Sequence, residues 1–378
     1  RRSLPGAAKT GALAGMAMTE KQGGSDLRSN SSVAVRDGDS FLLTGHKWFC
    51  SAPMCDAFLA LARLEDRVTC FLVPRSLPDG TRNPFYIQRL KDKIGNKSNA
   101  SSEIEFRNTR AWIVSPEGRG IATLIEMAHL TRFDIVVASA GMMRAGLTQA
   151  LHHCEHRSAF GRRLAEHEAM QNVLADLALE SEAATLTAFR LAEAFDRGAA
   201  DPNERLLARI MTPVAKYWLC KRNPVFTVEA MECLGGNGFT EDGPFGRLFR
   251  ESPLNGIWEG SGNVICLDVL RSVEREPESL RALLAEIRAA APEHPALKAA
   301  ADRLEKEFAD RSRLEARARR LVELAATALQ ASLMLRHADP RAAAAFCASR
   351  LAGDWGHVLG TLPAGTDGAA LAARLRLQ

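Results

Sequence analysis

Polar and apolar positions alternate in short runs through the first third of the chain, then give way to a longer period. Residues 32–35, 40–44, 57–62, 68–73, 102–106 and 111–114 alternate or are β-branched, which predicts strands. Asp37-Gly38-Asp39, Pro78-Asp79-Gly80 and Gly95-Asn96 separate them as turns. Many short strands joined by tight turns predict an antiparallel sandwich or barrel-like β domain over residues 1–116. Near Glu117-Gly118 the apolar spacing becomes that of helices, over 121–156, 166–197 and 203–234, with a further helix after Ser261. Gly198 and Pro202 punctuate two of them, and the set predicts a helical bundle over 117–271. Residues 272–378 form a third regime, rich in Ala, Leu, Arg and Glu up to Leu335 and in Gly and Ala beyond. The fold class is therefore α+β: a β domain, a four-helix bundle and a helical extension.

Composition narrows this picture slightly. The 378 residues are 25% charged and 46% hydrophobic, a globular profile, and no apolar run approaches the ~20 residues of a membrane span. The opening residues 1–6 lack the shape of a secretory leader, so a cytoplasmic protein is expected. A net charge of +4 is too mild to announce a nucleic-acid partner. Eight cysteines without a CxxC pair read as small buried hydrophobes. His152, His153 and His156 flank Cys154 on a helix, where neighbours point apart, so no metal site is expected.

Three segments carry candidate chemistry. Ala17-Met18-Thr19-Glu20-Lys21-Gln22-Gly23-Gly24-Ser25-Asp26 ends a strand in a Gly-Gly turn flanked by hydroxyls. Such a turn lets the backbone approach a phosphate or a ring edge, and it is equally an ordinary surface turn. Glu232 to Asp242 stops a helix in Gly235-Gly236-Asn237-Gly238, which by itself is an elaborate C-cap. Ile257-Trp258-Glu259-Gly260-Ser261-Gly262-Asn263 sets a carboxylate between an aromatic residue and glycine ahead of a helix. A carboxylate against apolar neighbours has its pKa raised and suits a general base; an acid at a helix start is also stabilised by the helix dipole.

Taken together, in this order and spacing, the segments resemble the acyl-CoA dehydrogenase family of flavoproteins. Residues 17–29 match its N-proximal signature, residues 232–251 its C-proximal one, and Arg157-Ser158-Ala159-Phe160-Gly161-Arg162 its Arg-x-x-Phe-Gly element. The resemblance implies a bound FAD and removal of two hydrogens from the α and β carbons of an acyl-CoA thioester. It places Met18, Thr19, Gly24 and Ser25 on the flavin with Trp48, Phe49 and Ser51; Phe49 stands where many members have Trp, and Ser51 where Thr is frequent. Ile257, Trp258, Gly260, Ser261 and Asn263 form a loop on the same cofactor. Arg157, Phe160 and Gly236 match positions that reach the FAD of a neighbouring subunit, which implies a dimer or homotetramer. Glu259 matches the catalytic base of most members. The alternative base position of a minority is held here by Thr131, which cannot serve, and Arg132 and Arg271 match arginines near the substrate. An electron-transfer flavoprotein is the implied electron acceptor.

Two departures bear on the expectation. Members carry a helical domain ahead of the first signature, whereas sixteen residues precede it here, so the reading expects a fragment or an incomplete gene product. Members also end soon after the helix following the Glu-Gly loop, whereas this chain continues to Gln378. That extension, with the wording of the motifs, resembles the AidB-type branch, tied to the bacterial adaptive response to DNA alkylation. The branch implies binding of duplex DNA through the C-terminal helices and, as an alternative function, a DNA-associated flavoprotein with vestigial dehydrogenase activity. Residues 272–378 hold 16 basic against 14 acidic residues, but Arg313, Arg317 and Arg320 are spaced i, i+4, i+7 along one face of an expected helix. That face is as much a solvated helix surface as a phosphate-binding one. With no base-reading motif, any contact is expected to be to phosphates.

Overall fold

The computed structural model describes residues 11–363 and 365–376, so the opening residues 1–6 read above for a leader lie outside it. The chain divides into two compact units, one up to Ala128 and one from His129.

The first unit is a β barrel with a helical start at its end. Its strands are β1 (Ala14–Ala17), β2 (Val33–Asp37), β3 (Ser40–Cys50), β4 (Ala57–Leu64), β5 (Arg67–Pro74), β6 (Phe85–Leu90) and β7 (Ser102–Ile113). Pairings of β2 with β3, β3 with β7, β7 with β5, β5 with β4 and β4 with β2 close a ring, to which β1 and β6 add. Closure leaves the five ring strands without the exposed edges of an open sheet. Inward residues such as Phe41, Leu43, Phe58, Ala60, Phe71, Val73, Ile104 and Phe106 form the core. The expected antiparallel barrel is thus present with two corrections, since β1 and β2 each pair parallel with β4. Two strands expected at 102–106 and 111–114 are one, because Asn108, at φ +52°, kinks the chain without ending its pairing to β3. Strand β6 escaped the sequence pattern: it is an edge strand, mostly exposed, and shows no alternation.

The 37-residue helix α1 (Gly120–His156) begins in the first unit and, from His129 on, belongs to the second, where it leads into a two-stranded hairpin, β8 (Ser158–Ala159) and β9 (Arg162–Arg163). Helices α2 (Glu168–Arg197), α3 (Pro202–Glu232) and α5 (Gly262–Arg275) follow where helices were expected, and a short helix that the pattern did not predict, α4 (Phe245–Glu251), stands between α3 and α5. Pro202 opens α3 at its first turn with Asp201 as N-cap, its carboxylate accepting from Asn203 N. The extension continues as α6 (Pro277–Arg288), α7 (Pro295–Ala309), α8 (Leu314–His337), α9 (Pro340–Phe346) and α10 (Gly368–Ala373). Its apolar faces enter the same core as the bundle, where Leu283, Ile287, Leu297, Leu304, Val322, Leu329 and Phe346 are buried with Leu177, Leu191, Val214 and Ile265.

A buried ionic knot fastens the end of the chain to α2. Arg350, 2% exposed at its side chain, meets Asp176 and Glu180 and stacks over Trp355 at 4.1 Å. Asp176 Oδ2 also accepts from Trp355 Nε1 and Gly360 N. All eight cysteines are buried and free. No helix among the described residues is long and apolar enough to cross a membrane.

Candidate functional site

In the barrel, the first signature turns back on itself directly after β1. Glu20 and Gly23 bond to each other's backbones, and Gly24 packs so closely on Thr19 that a Cβ there would lie 3.0 Å from the Thr19 methyl. The turn is anchored from beneath by a residue the motif reading quoted without assigning a role. Glu20 Oε1 accepts from Lys47 Nζ at 2.6 Å and from Ser32 Oγ at 2.6 Å, while Oε2 accepts from Ser31 N at 2.6 Å and Gln22 Nε2 at 2.7 Å. Both ends of the ion pair are sealed, at 0% and 2% exposure. Burial alone would raise the Glu20 carboxyl, but the Lys47 charge and the bonds from Lys47, Ser32 and Ser31 outweigh it and bring it down to about 2.

From that anchor, β3 carries the next cluster outward. Trp48 N donates to Thr19 O at 2.8 Å, which ties the strand to the turn. Phe49 is 44% exposed and Ser51 lies exposed just beyond the strand. The Lys91 ammonium lies 3.1 Å from the centre of the Trp48 ring and 4.6 Å from that of Phe49, and Glu103 at 2.7 Å fixes it there. Met18, Thr19, Gly24, Ser25, Trp48, Phe49 and Ser51 therefore share one region of the barrel surface, floored by a buried ion pair.

The helical unit builds the second cluster around Glu259. Glu259 is half-buried and takes φ +54°, a left-handed backbone unusual for a side chain of its size, followed by Gly260 at φ +109°. Two cationic side chains support the loop. Arg132 Nε donates to Glu259 O at 2.9 Å; Lys216 Nζ donates to Trp258 O at 3.0 Å and to Gly260 O. Arg132 is itself held by Asp268 at 2.8 Å, and Asp268 is shared with Arg209 at 3.1 Å. Burial raises the Glu259 carboxyl above its ordinary value, partly countered by Arg132, a hydrogen bond with Thr131 and Lys216. His129 beside this network is pushed down to about 4 by burial and by Arg209 and Arg132, so it is neutral near pH 7. Trp258 is steadied by its indole N–H on Asn255 Oδ1 at 3.0 Å. Arg271 lies exposed on α5 and reaches this cluster only through its field at Asp268.

Phe160 stands apart. It occupies the two-residue turn between β8 and β9 at φ +52°, with Gly161 at φ +81°, and its ring is 97% exposed. Turns of this hand favour Asn or Gly, so an aromatic here is a strained residue held out from the surface. Arg157 and Gly236 are likewise exposed.

The arginine face expected in the extension is not assembled as the spacing implied. Arg313 lies outside α8, as its left-handed N-cap at φ +48°. Arg317 is spent inside the fold on Glu307 at 2.6 Å and Asp310 at 3.4 Å. Arg320 is exposed on the helix, and Arg319 donates to Asn263 Oδ1 at 2.8 Å.

Comparison with known proteins settles the kinship. Residues 15–109 match the acyl-CoA dehydrogenase middle domain and residues 118–274 the acyl-CoA dehydrogenase C-terminal domain. The chain belongs to the acyl-CoA dehydrogenase family. That family consists of FAD-binding oxidoreductases that act on CH–CH bonds. AidB of Escherichia coli (strain K12) is 50% identical over 274 residues, covering 72% of this chain and 50% of that protein. Acyl-CoA dehydrogenase family member 11 of Caenorhabditis elegans is 33% identical over 272 residues, 68% of this chain and 44% of that protein. The chain thus spans about half the length of these relatives. The crystal structure of Caenorhabditis elegans ACDH-11 in complex with C11-CoA superposes with a TM-score of 0.81 at 27% identity, over 96% of this chain and 64% of that one. That coverage includes most of the extension, whose fold is therefore shared.

Within this family the two clusters were legible as motifs, whereas Glu20, Lys47, Lys216, Asp268 and Arg209 were not singled out. A signal existed for two of them. Lys47 has the inward parity of Phe41 and Leu43 on β3, and Lys216 shares one face of α3 with buried Thr212, Leu219, Cys220 and Asn223. A lysine on a buried face always needs a partner.

Proposed function

We propose that this chain belongs to an FAD-dependent flavoprotein of the DNA-alkylation-response type that dehydrogenates acyl-CoA thioesters between the α and β carbons. The observation that carries the reading is Glu259, a half-buried carboxylate with raised pKa in a loop whose backbone is pinned by Arg132 and Lys216. Such a group is poised to take a weakly acidic carbon-bound proton. The barrel surface suits a flavin: an exposed aromatic plane at Phe49, hydroxyls at Thr19, Ser25 and Ser51, and a tight turn in which Gly24 packs on Thr19. Met18, Thr19, Gly24, Ser25, Trp48, Phe49 and Ser51 would hold it, with Ile257, Trp258, Gly260, Ser261 and Asn263 from the loop and Arg157, Phe160 and Gly236 from a neighbouring subunit of a dimer or tetramer. When bound, FAD supplies a two-electron acceptor for the β hydrogen. Glu259 removes the α proton, Arg132 and Arg271 stand on the substrate side, and an electron-transfer flavoprotein takes the electrons onward. That ACDH-11 is described in complex with C11-CoA, at a TM-score of 0.81, supports an acyl-CoA as the substrate. The full-length gene product should purify yellow, and acyl-CoAs should bleach its flavin band. A colourless protein that takes up no added FAD would overturn the reading.

A second reading, contact with duplex DNA, is favoured by the 50% identity to AidB. The extension alone does not argue for it, because ACDH-11 shares that fold. If Arg313 and Arg320 meet phosphates, affinity falls steeply with salt, and each arginine removed flattens the log–log slope by about 0.9. Arg317→Ala is expected to loosen the 307–317 segment, through loss of Glu307 and Asp310, without altering that slope. Gel shifts at several salt concentrations measure both, and equal slopes for the parent and an Arg313→Ala/Arg320→Ala double variant remove these residues from any DNA contact.

A further inference from the structure

Three successive carbonyls in the loop, those of Trp258, Glu259 and Gly260, each accept from a cationic side chain. Glu259 O is taken by Arg132, whose place on α1 the family resemblance already marked. The two flanking carbonyls converge on one ammonium, that of Lys216, which resides on a different helix and is 1% exposed. We propose that Lys216 is the positioning residue for Glu259: by bonding the carbonyls on either side, it locks Glu259 in its left-handed backbone and sets a fixed positive charge beside the carboxylate. The inference rests on the dehydrogenase reading for its purpose, but not for its geometry.

Several observations converge on this role. Two consecutive residues with positive φ rotate their peptide planes away from helix or strand, so their carbonyls have no repeating partner and need one supplied. Lys216 supplies it to both sides of Glu259 at once, and a point cation on a flexible stem suits two carbonyls that are not coplanar. The arrangement is not an economical way to fill a core. Burial pushes the Lys216 ammonium down to about 8, so the fold holds the charged form at a cost in stability at neutral pH. The other buried residues of α3 are apolar or neutral, Val214, Leu219, Thr212 and Asn223 among them, whereas Lys216 brings a charge. The groups that face this pair are few. Thr131 and Arg132 approach Glu259 from α1; Arg132, Cys220 and Lys221 act on Lys216; Asp268 and Arg209 are tied to Arg132; and His129 beside them is neutral. Arg132 has its charge matched by Asp268, which leaves Lys216 as the cation near Glu259 with no ion-pair carboxylate of its own among the described residues.

The test reads the Glu259 carboxyl directly, on the full chain. The infrared C=O band of the protonated acid, assigned as the band missing from Glu259→Gln, is followed against pH. In Lys216→Met its midpoint should rise, corresponding to a roughly tenfold higher proton affinity, and Lys216→Arg should restore most of the parental midpoint. Exchange of the Gly260 and Ser261 amides should quicken in Lys216→Met and not in Lys216→Arg. A reciprocal measurement leaves Lys216 in place and so does not depend on that variant folding. Titration of the 15N-labelled Lys216 side chain should move to lower pH in Glu259→Gln than in the parent, because coupling between two sites is mutual. An unmoved Lys216 midpoint in Glu259→Gln, or an unmoved Glu259 band in a folded Lys216→Met, overturns the proposal. Neither readout needs substrate. Shifted midpoints in a protein that no acyl-CoA bleaches keep the positioning role and reject the dehydrogenase reading. Unmoved midpoints in a protein that is bleached do the reverse.

Discussion

Replacing Glu259 by Gln is expected to slow substrate-driven flavin bleaching by about 10²–10⁴-fold, the usual contribution of a positioned general base. The amide keeps the size of the side chain and a hydrogen-bonding oxygen for Thr131, so the loop, the bonds from Arg132 and Lys216 to its backbone, and the flavin content should be unchanged. The stability effect has a definite sign. Because burial raises the folded carboxyl above its ordinary 4.5, the fold prefers the protonated form. No penalty exists below pH 4.5; it builds as pH rises towards the folded value and stays constant above it. A neutral Gln avoids the penalty, so at pH 7 the variant should melt no lower than the parent. Parental bleaching should, conversely, fall as pH drops through the raised pKa, because the protonated acid cannot take a proton. Stopped-flow bleaching across pH, beside a melting curve for each protein, measures all of this. Bleaching at the parental rate would remove Glu259 from the reaction.

Much of this arrangement is readable in the sequence. Periodicity located α1, α2 and α3 to within a few residues, because long amphipathic helices declare their period many times over. The motifs brought Met18 to Ser25 and Ile257 to Asn263 into view as words, since glycine, hydroxyl and acid at fixed offsets are visible in one dimension. What failed to show was long-range pairing. The parallel pairing of β1 and β2 with β4 depends on ring closure, which no local pattern encodes. The break expected between residues 106 and 111 is not an end of the strand: Asn108, left-handed at φ +52°, bends a strand that goes on pairing. The arginine spacing at 313, 317 and 320 was real as arithmetic. It presupposed a helix already running at Arg313, whereas α8 starts one residue later, and it could not reveal that Glu307 and Asp310 on the preceding segment neutralise Arg317. Lys47 and Lys216 show the remaining gap: parity announces that each points inward, but the partner is 27 residues away in one case and 42 to 44 in the other.

Lys47→Met should be the most damaging single change in the barrel, at about 3–5 kcal/mol, because it leaves the Glu20 carboxylate buried without its counter-ion. The methionine stem fills the space of the lysine, so a cavity is not what the change creates. Leu61 O, which also accepts from Lys47 Nζ at 2.7 Å, is left without that donor. Bonds from Ser31, Ser32 and Gln22 remain on Glu20 and place the expected cost toward the lower end of the range. The double variant Glu20→Gln/Lys47→Met, with no buried charge, should recover part of it. The acid limb gives an independent signature. In the parent, Glu20 titrates near 2 when folded against an ordinary 4.5, so it contributes stability in full above pH 4.5 and loses it as pH falls from 4.5 through 2. Without Lys47, the folded value rises, so this loss should shrink or vanish and the variant's melting temperature should fall less steeply on acidification than the parent's. Function follows the same anchor: Glu20 holds the turn that presents Thr19, Gly24 and Ser25, so the variant should release flavin more readily even where it remains folded. Melting curves from pH 6 to 2 and the ratio of flavin to protein absorbance after gel filtration read the two effects. An acid limb as steep as the parent's would mean that the depressed titration of Glu20 owes nothing to Lys47.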